Sequence, residues 1–155
     1  MKAMSEAADF TEYVTFTVAG QVFGLPIERV QEVFRPTRIT RVPLAGSQIA
    51  GVLNLRGRIV TAIDMRSRLD LHDRDEAKAR MAIGIESEAE SFGLLVETLG
   101  EVLKLADGGR EPNPVNLDRK LARVSAGVYR LDGQLLVVLD VDSVLDLSLE
   151  PAAAA

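Results

Sequence analysis

The chain contains a degenerate copy of itself. Residues 51–71, GVLNLRGRIVTAIDMRSRLDL, align without a gap on residues 127–147, GVYRLDGQLLVVLDVDSVLDL, and nine of 21 positions are identical. A second echo pairs FGLPIERVQEV at Phe23–Val33 with FGLLVETLGEV at Phe92–Val102, with six of 11 positions identical. Both echoes run in the same order, so the chain is two copies of one unit. The second copy carries about seven extra residues around Gly108–Asn116. A solenoid needs roughly three or more units to bury a continuous core. Two units point instead to two small sheets or barrels packed together.

Local pattern gives the content of each unit. Val14, Phe16 and Val18 alternate with Tyr13, Thr15 and Thr17, then Ala19-Gly20 leads into Gln21–Leu25, which reads as strand, tight turn, strand. Pro26 suits a sheet edge or the start of a helical turn, and Ile27–Val33 reads as a short turn plus strand. Arg35–Ser47, with Pro36, Pro43 and Gly46, reads as a loop. Gly51–Leu55 and Ile59–Asp64 form a hairpin around Arg56-Gly57, and its copy runs Gly127–Leu131 and Gln134–Asp140 around Asp132-Gly133. Residues 73–80, DRDEAKAR, form a charged link, and the PAAAA tail is expected to be disordered or the remnant of a helix end. The expected division is a domain at 12–149, with lobe one at about 12–72, lobe two at about 78–149 and flexible termini at 1–11 and 150–155.

Each hairpin is followed by an aspartate, Asp64 or Asp140, and a short apolar-periodic segment with Ser67 or Ser143 three residues on. An aspartate there accepts hydrogen bonds from the free N–H groups of a helical turn, so both are expected as helix N-caps. The alternative is a carboxylate dyad of the aspartic-protease kind. Met65-Arg66 and Val141-Asp142 follow, however, where such a dyad would carry a small Thr/Ser-Gly pair.

Other chemistry finds little support. His72 is the only histidine and there is no cysteine, so neither a Ser/His/Asp arrangement nor a thiolate metal site is available, and no cofactor or metal is expected. Neither GxxxxGK[ST] nor GxGxxG occurs. The longest apolar run, Leu135–Leu139, is five residues, against about 20 for a membrane span. MKAMSEAADF has no apolar leader, and the expected location is the cytoplasm. The formal charge of −5 hides seven arginines and a single acid, Asp64, between Arg35 and Arg68. That stretch is either a solvated face or a contact for an anionic partner, and a small-barrel nucleic-acid binder is the alternative reading of the chain. Seven aromatics, no tryptophan and a pI of about 5.0 leave stacking platforms scarce.

The repeat separates fold from function: where the units agree, the shared fold explains the residue. Arg56 stands opposite Asp132, a favoured turn residue before glycine, whereas arginine has no turn preference. A multidentate donor on a hairpin tip is suited to a partner. Glu32 has a counterpart in Glu101, yet only Glu32 has a cation to pair with, since Glu101 would face Asp132.

VQEV followed by GVLNLRGRIVTAIDMRSRLDL resembles the CheW-like domain of bacterial chemotaxis coupling proteins, whose hallmark is an NLRG turn between strands and a following Asp-(hydrophobic)-Arg. The resemblance covers roughly residues 12–148. Thr61-Ala62 stands where the family usually has Pro-Val, and Met65 where leucine is common. The resemblance implies a mainly β fold of two five-stranded SH3-like barrels with short helical segments. It also implies a non-enzymatic adaptor, cytoplasmic and recruited to receptor arrays, that links the chemoreceptor cytoplasmic tip to the regulatory domain of a chemotaxis histidine kinase. Val30, Glu32, Asn54, Arg56 and Gly57 match the family's receptor-contacting region, while the kinase is expected on the second lobe with no residue assigned.

Overall fold

The computed structural model describes residues 9–43, 45–71 and 81–146. His72, the charged link 73–80 and the PAAAA tail lie outside the described residues. The alternating segment forms β1 (Phe10–Val18) and β2 (Gln21–Pro26). Pro26 ends β2 and starts a single 3-10 turn, Ile27–Arg29, before the short β3 (Glu32–Phe34). The repeated hairpin is β4 (Ile49–Leu55) and β5 (Arg58–Asp64), closed by α1 (Met65–Arg68). The second unit supplies β6 (Met81–Ser87), β7 (Glu90–Val96), β8 (Thr98–Ala106), β9 (Ser125–Leu131) and β10 (Gln134–Leu139). A second 3-10 turn, Asp107–Gly109, follows β8, and α3 (Val141–Leu145) follows β10. One element was not expected: α2 (Arg119–Val124), capped by Asp118, whose carboxylate accepts the Lys120 N–H at 2.8 Å.

The strands form two five-stranded sheets, ordered β8-β1-β2-β10-β9 and β3-β6-β7-β5-β4. Each is an exchange product. The β1–β2 hairpin of the first unit joins β8, β9 and β10 of the second, and the β6–β7 hairpin of the second joins β3, β4 and β5 of the first. The expected lobes, about 12–72 and 78–149, are therefore not the sheets. The reason is connection length. Only Glu97 separates β7 from β8, and a single residue cannot turn a strand back on its neighbour, whereas two can. So β8 runs on to the other sheet and pairs antiparallel with β1. The seams are parallel pairs, β2 with β10 and β5 with β7. The two expected five-stranded units are there, as sheets that are not closed: β8 and β9 remain the edges of one, β3 and β4 those of the other.

Burial follows this arrangement. Phe16, Phe23 and Val137 from one sheet meet Ile63, Ile83 and Leu94 from the other in a shared core that also takes Met65, Val124 and Val144 from the helices. Each sheet keeps a smaller inner cluster of its own. One holds Leu53, Val60, Ala62, Ala82 and Leu95, the other Tyr13, Tyr129, Leu136 and Val138. The edges β4 and β9 are each met by a passing loop, through Thr40–Val52 and Glu111–Val128 bridges. Close approach of those loops explains a repeated glycine. Gly51 (φ 148°) and Gly127 (φ 131°) sit under them, and a Cβ at Gly51 would be driven into the Thr40 carbonyl.

Both caps form as expected. Asp64 Oδ1 accepts the N–H of Arg66 (3.0 Å) and Ser67 (3.4 Å), and Asp140 Oδ1 accepts that of Ser143 (3.4 Å). Each aspartate is occupied by its own helix, which answers the dyad alternative.

Candidate functional site

The hairpin tip of β4–β5 is the centre of the candidate site. Arg56 (φ 52°) and Gly57 (φ 87°) are both left-handed, the two-residue turn that matches the twist of paired strands. Asn54, the last exposed residue of β4, locks it: its Oδ1 accepts the Gly57 N–H at 2.8 Å. Glu32, at the start of β3, accepts a hydrogen bond from Arg56 Nη2. In sheet order β3 and β4 are opposite edges, so this pair shows how far the sheet curls. The Glu32 side chain is 28% exposed and that of Arg56 69%, so the pair braces the guanidinium without hiding it.

Four of the five expected residues, Glu32, Asn54, Arg56 and Gly57, are thus joined by hydrogen bonds. The fifth, Val30, ends the 3-10 turn, its N–H donating to Ile27 O at 3.0 Å, and packs half-buried against the shared core. Its neighbours fix it from both sides. Arg29 pairs with Asp142 of α3 at 3.5 Å, and Gln31 bonds Gly84 O through its N–H (2.8 Å) and Glu86 through its amide (2.6 Å). Val30 therefore sits where the chain crosses from one sheet to the other.

The floor beside the pair is formed by Phe34, Leu55, Val60 and Phe92, and the depression holds only about 10 Å³. That is too small for a substrate cavity. Among the described residues no group of three or more His, Asp or Glu side chains is placed to hold a metal ion. Ile59, 64% exposed and paired with Asn54 across the hairpin, adds an apolar side chain that sequence reasoning did not single out.

The Arg35–Arg68 stretch does not make one cationic face. Arg68 is 6% exposed and donates to the carbonyls of Ser143, Val144 and Asp146 at the end of α3. Arg66 pairs with Glu97 at 3.2 Å, and Glu97 also accepts the Ala19 N–H at 3.0 Å, tying α1 to the β1–β2 turn and the β7–β8 junction. Arg56 is taken by Glu32 and Arg58 donates to Ser91 Oγ at 2.8 Å. Arg35, Arg38 and Arg41 are exposed along the loop after β3.

The family is decided by the match of the CheW-like domain to residues 12–148, 137 of the 155 residues. The chain belongs to the CheW-like family. A chemotaxis protein CheW of Thermotoga maritima is 27% identical over 146 residues, covering 94% of this chain and 95% of that one. A scaffolding protein CheW from Thermoanaerobacter tengcongensis has a solved structure similar to this one, with a TM-score of 0.74 at 28% identity over 83% of each chain. The chemotaxis protein CheA of Salmonella typhimurium is 28% identical over 138 residues, 88% of this chain but 20% of that larger protein. A CheW-like domain thus occurs inside CheA. The paired sheets are the two-subdomain, SH3-like arrangement of the family, and the chain is a chemotaxis scaffold of CheW type. Asp64-Met65-Arg66, the family's Asp-(hydrophobic)-Arg, has a structural reason here: the aspartate caps α1 and the arginine reaches Glu97.

Proposed function

We propose that this chain is a non-enzymatic adaptor that couples transmembrane chemoreceptors to a chemotaxis histidine kinase, in the cytoplasm and recruited to receptor arrays. The observation that carries the reading is Arg56. An arginine in a left-handed turn costs about 1 kcal/mol or more against glycine, and the fold gains from it only an exposed ion pair worth roughly 0.2–1 kcal/mol. A partner contact gives that cost a purpose. The receptor's cytoplasmic tip meets Val30, Glu32, Asn54, Arg56 and Gly57, with Arg56 the anchor and Asn54-Gly57 the rigid mount. No helix among the described residues is long and apolar enough to cross a membrane.

The kinase docks on the sheet built mainly from the second unit, through Val102 on β8 (51% exposed) and the fully exposed Val115 in the loop that only that unit has. A kinase carrying a domain like this chain offers it a surface of the same construction, so contacts between like lobes extend into arrays by heterologous pairing. The test is co-sedimentation of kinase with receptor-bearing membranes. Kinase pellets only when the chain is added, Arg56→Asp removes chain and kinase together from the pellet, and Val115→Asp leaves the chain in the pellet without kinase. Equal pelleting of kinase with and without the chain contradicts the coupling role.

A further inference from the structure

A cleft lies between the β6–β7 hairpin and α3. It measures about 390 Å³, is walled by Glu88, Glu90 and Asp142, and includes Phe92 and Leu145 in its lining. Glu88 and Glu90 are exposed and have no ion-pair partner among the described residues, while Asp142, 74% exposed, has Arg29 at 3.5 Å. The opposite chemistry stands elsewhere on the same chain. The loop after β3 exposes Arg35, Arg38 and Arg41, contains no acid between Arg35 and Pro43, and interleaves Ile39 and Val42, 37% and 41% exposed. Paired hydrogen bonds between Thr40 and Val52, 2.8 and 2.9 Å, fix this loop as a ridge on the β4 edge.

We propose that the Arg35–Val42 ridge of one copy of this chain seats in the acidic cleft of a second copy. Guanidinium groups meet Glu88, Glu90 and Asp142 while Ile39 and Val42 meet Phe92 and Leu145, so charge and apolar surface are matched in one contact. Ridge and cleft are different patches, which makes the contact heterologous and lets it repeat from copy to copy. Each copy carries a formal charge of −5, so long-range repulsion opposes the local pairs. With a screening length of about 10 Å at 0.1 M salt, the pairs act within the contact and the association is weak and salt-sensitive. Phe92 borders both this cleft and the depression beside Glu32, so a seated copy covers part of the candidate site and self-association competes with a partner there. The contact does not depend on the identity of that partner.

The test is sedimentation velocity of the full chain over a concentration series at low and high salt, with circular dichroism to confirm that each variant is folded. Self-association is expected at low salt and lost at high salt. Arg38→Glu/Arg41→Glu and Glu88→Lys/Glu90→Lys each weaken it about tenfold or more, because like charges then face each other. An equimolar mixture of the two variants recovers it: the reversed ridge fits the reversed cleft, and the native ridge of one variant fits the native cleft of the other. A wild-type chain that stays monomeric at low salt, reversals without effect, or a mixture that does not recover overturns the proposal. So does a monomeric chain that binds an arginine-rich peptide at Glu88 and Glu90, which assigns the cleft to a foreign basic segment.

Discussion

The two repeated hairpins differ at one residue that matters. β4–β5 and β9–β10 have the same turn length and register, Leu55 opposite Arg58 and Leu131 opposite Gln134, and both place glycine second, Gly57 at φ 87° and Gly133 at φ 77°. The first turn position is left-handed in one and not in the other: Arg56 has φ 52°, whereas Asp132 stays outside that region. Aspartate, which tolerates the left-handed conformation, is spared it, and arginine, which does not favour it, is held there by Asn54 and Glu32. Glu101, the repeat counterpart of Glu32, is used differently, its backbone carbonyl accepting the Thr15 hydroxyl at 2.6 Å. The comparison teaches that glycine at the second position belongs to the fold, and arginine at the first belongs to what the fold presents.

The comparison is most easily broken at its shared positions. If the glycines under the two loops are structural in both units, Gly51→Ala and Gly127→Ala both destabilise, by roughly 3 kcal/mol or more at Gly51 and less at Gly127, where the nearest backbone oxygen would be 3.0 Å from the new Cβ. Chemical denaturation of the pair measures both, and a larger loss at Gly127 reverses the ranking. Next comes Glu97, which echoes Glu28 in sequence but alone holds Arg66 and the Ala19 N–H. Glu97→Ala is expected to cost about 3 kcal/mol, since it removes both the carboxylate beside the half-buried Arg66 and the acceptor of the Ala19 N–H, and Glu28→Ala almost nothing. Equal losses would mean that the two glutamates do the same work. Smallest is Gly133→Val, where the new side chain meets open space and only backbone strain counts, about 1 kcal/mol. An unchanged melting temperature there removes the strain argument at both tips.

Much of this was legible in the sequence, and what was not has definite causes. The hairpins, the Asp64 and Asp140 caps and the left-handed glycines follow from local preferences that one strand, turn or cap decides alone. The exchange of strands between units does not, because β1 pairs equally well, as a pattern, with strands of either copy. The one-residue β7–β8 connection at Glu97 decides the matter, and strand ends were not fixed closely enough in sequence to reveal it. Helix α2 was hidden in the inserted segment, which has no counterpart in the first unit to align with. At the candidate site, the structure brings Glu32, Asn54, Arg56 and Gly57 together, and the Glu32–Arg56 pair follows from charge alone. Arg66 and Arg68 were counted with the basic stretch, although burial turns both inward, to Glu97 and to the carbonyls ending α3. A pair of charged residues that serves the core looks, in one sequence, like a charged surface. Ile59 was read as an ordinary strand residue because alternation does not say which of two faces is covered.

The central claim is that Arg56 serves a partner and not the fold. Its most direct test measures both tips together: Arg56→Asp and Asp132→Arg, each followed by thermal melting and by binding to receptor-bearing membranes. Arg56→Asp should melt at or slightly above the parent temperature, because aspartate accepts the left-handed turn at lower cost. It should bind receptor one to two orders of magnitude more weakly, the loss of a charge-assisted hydrogen bond worth roughly 1.5–3 kcal/mol. Asp132→Arg should change neither quantity appreciably. Full receptor binding by Arg56→Asp, or a fall in its melting temperature large enough to account for the lost binding, would contradict the claim.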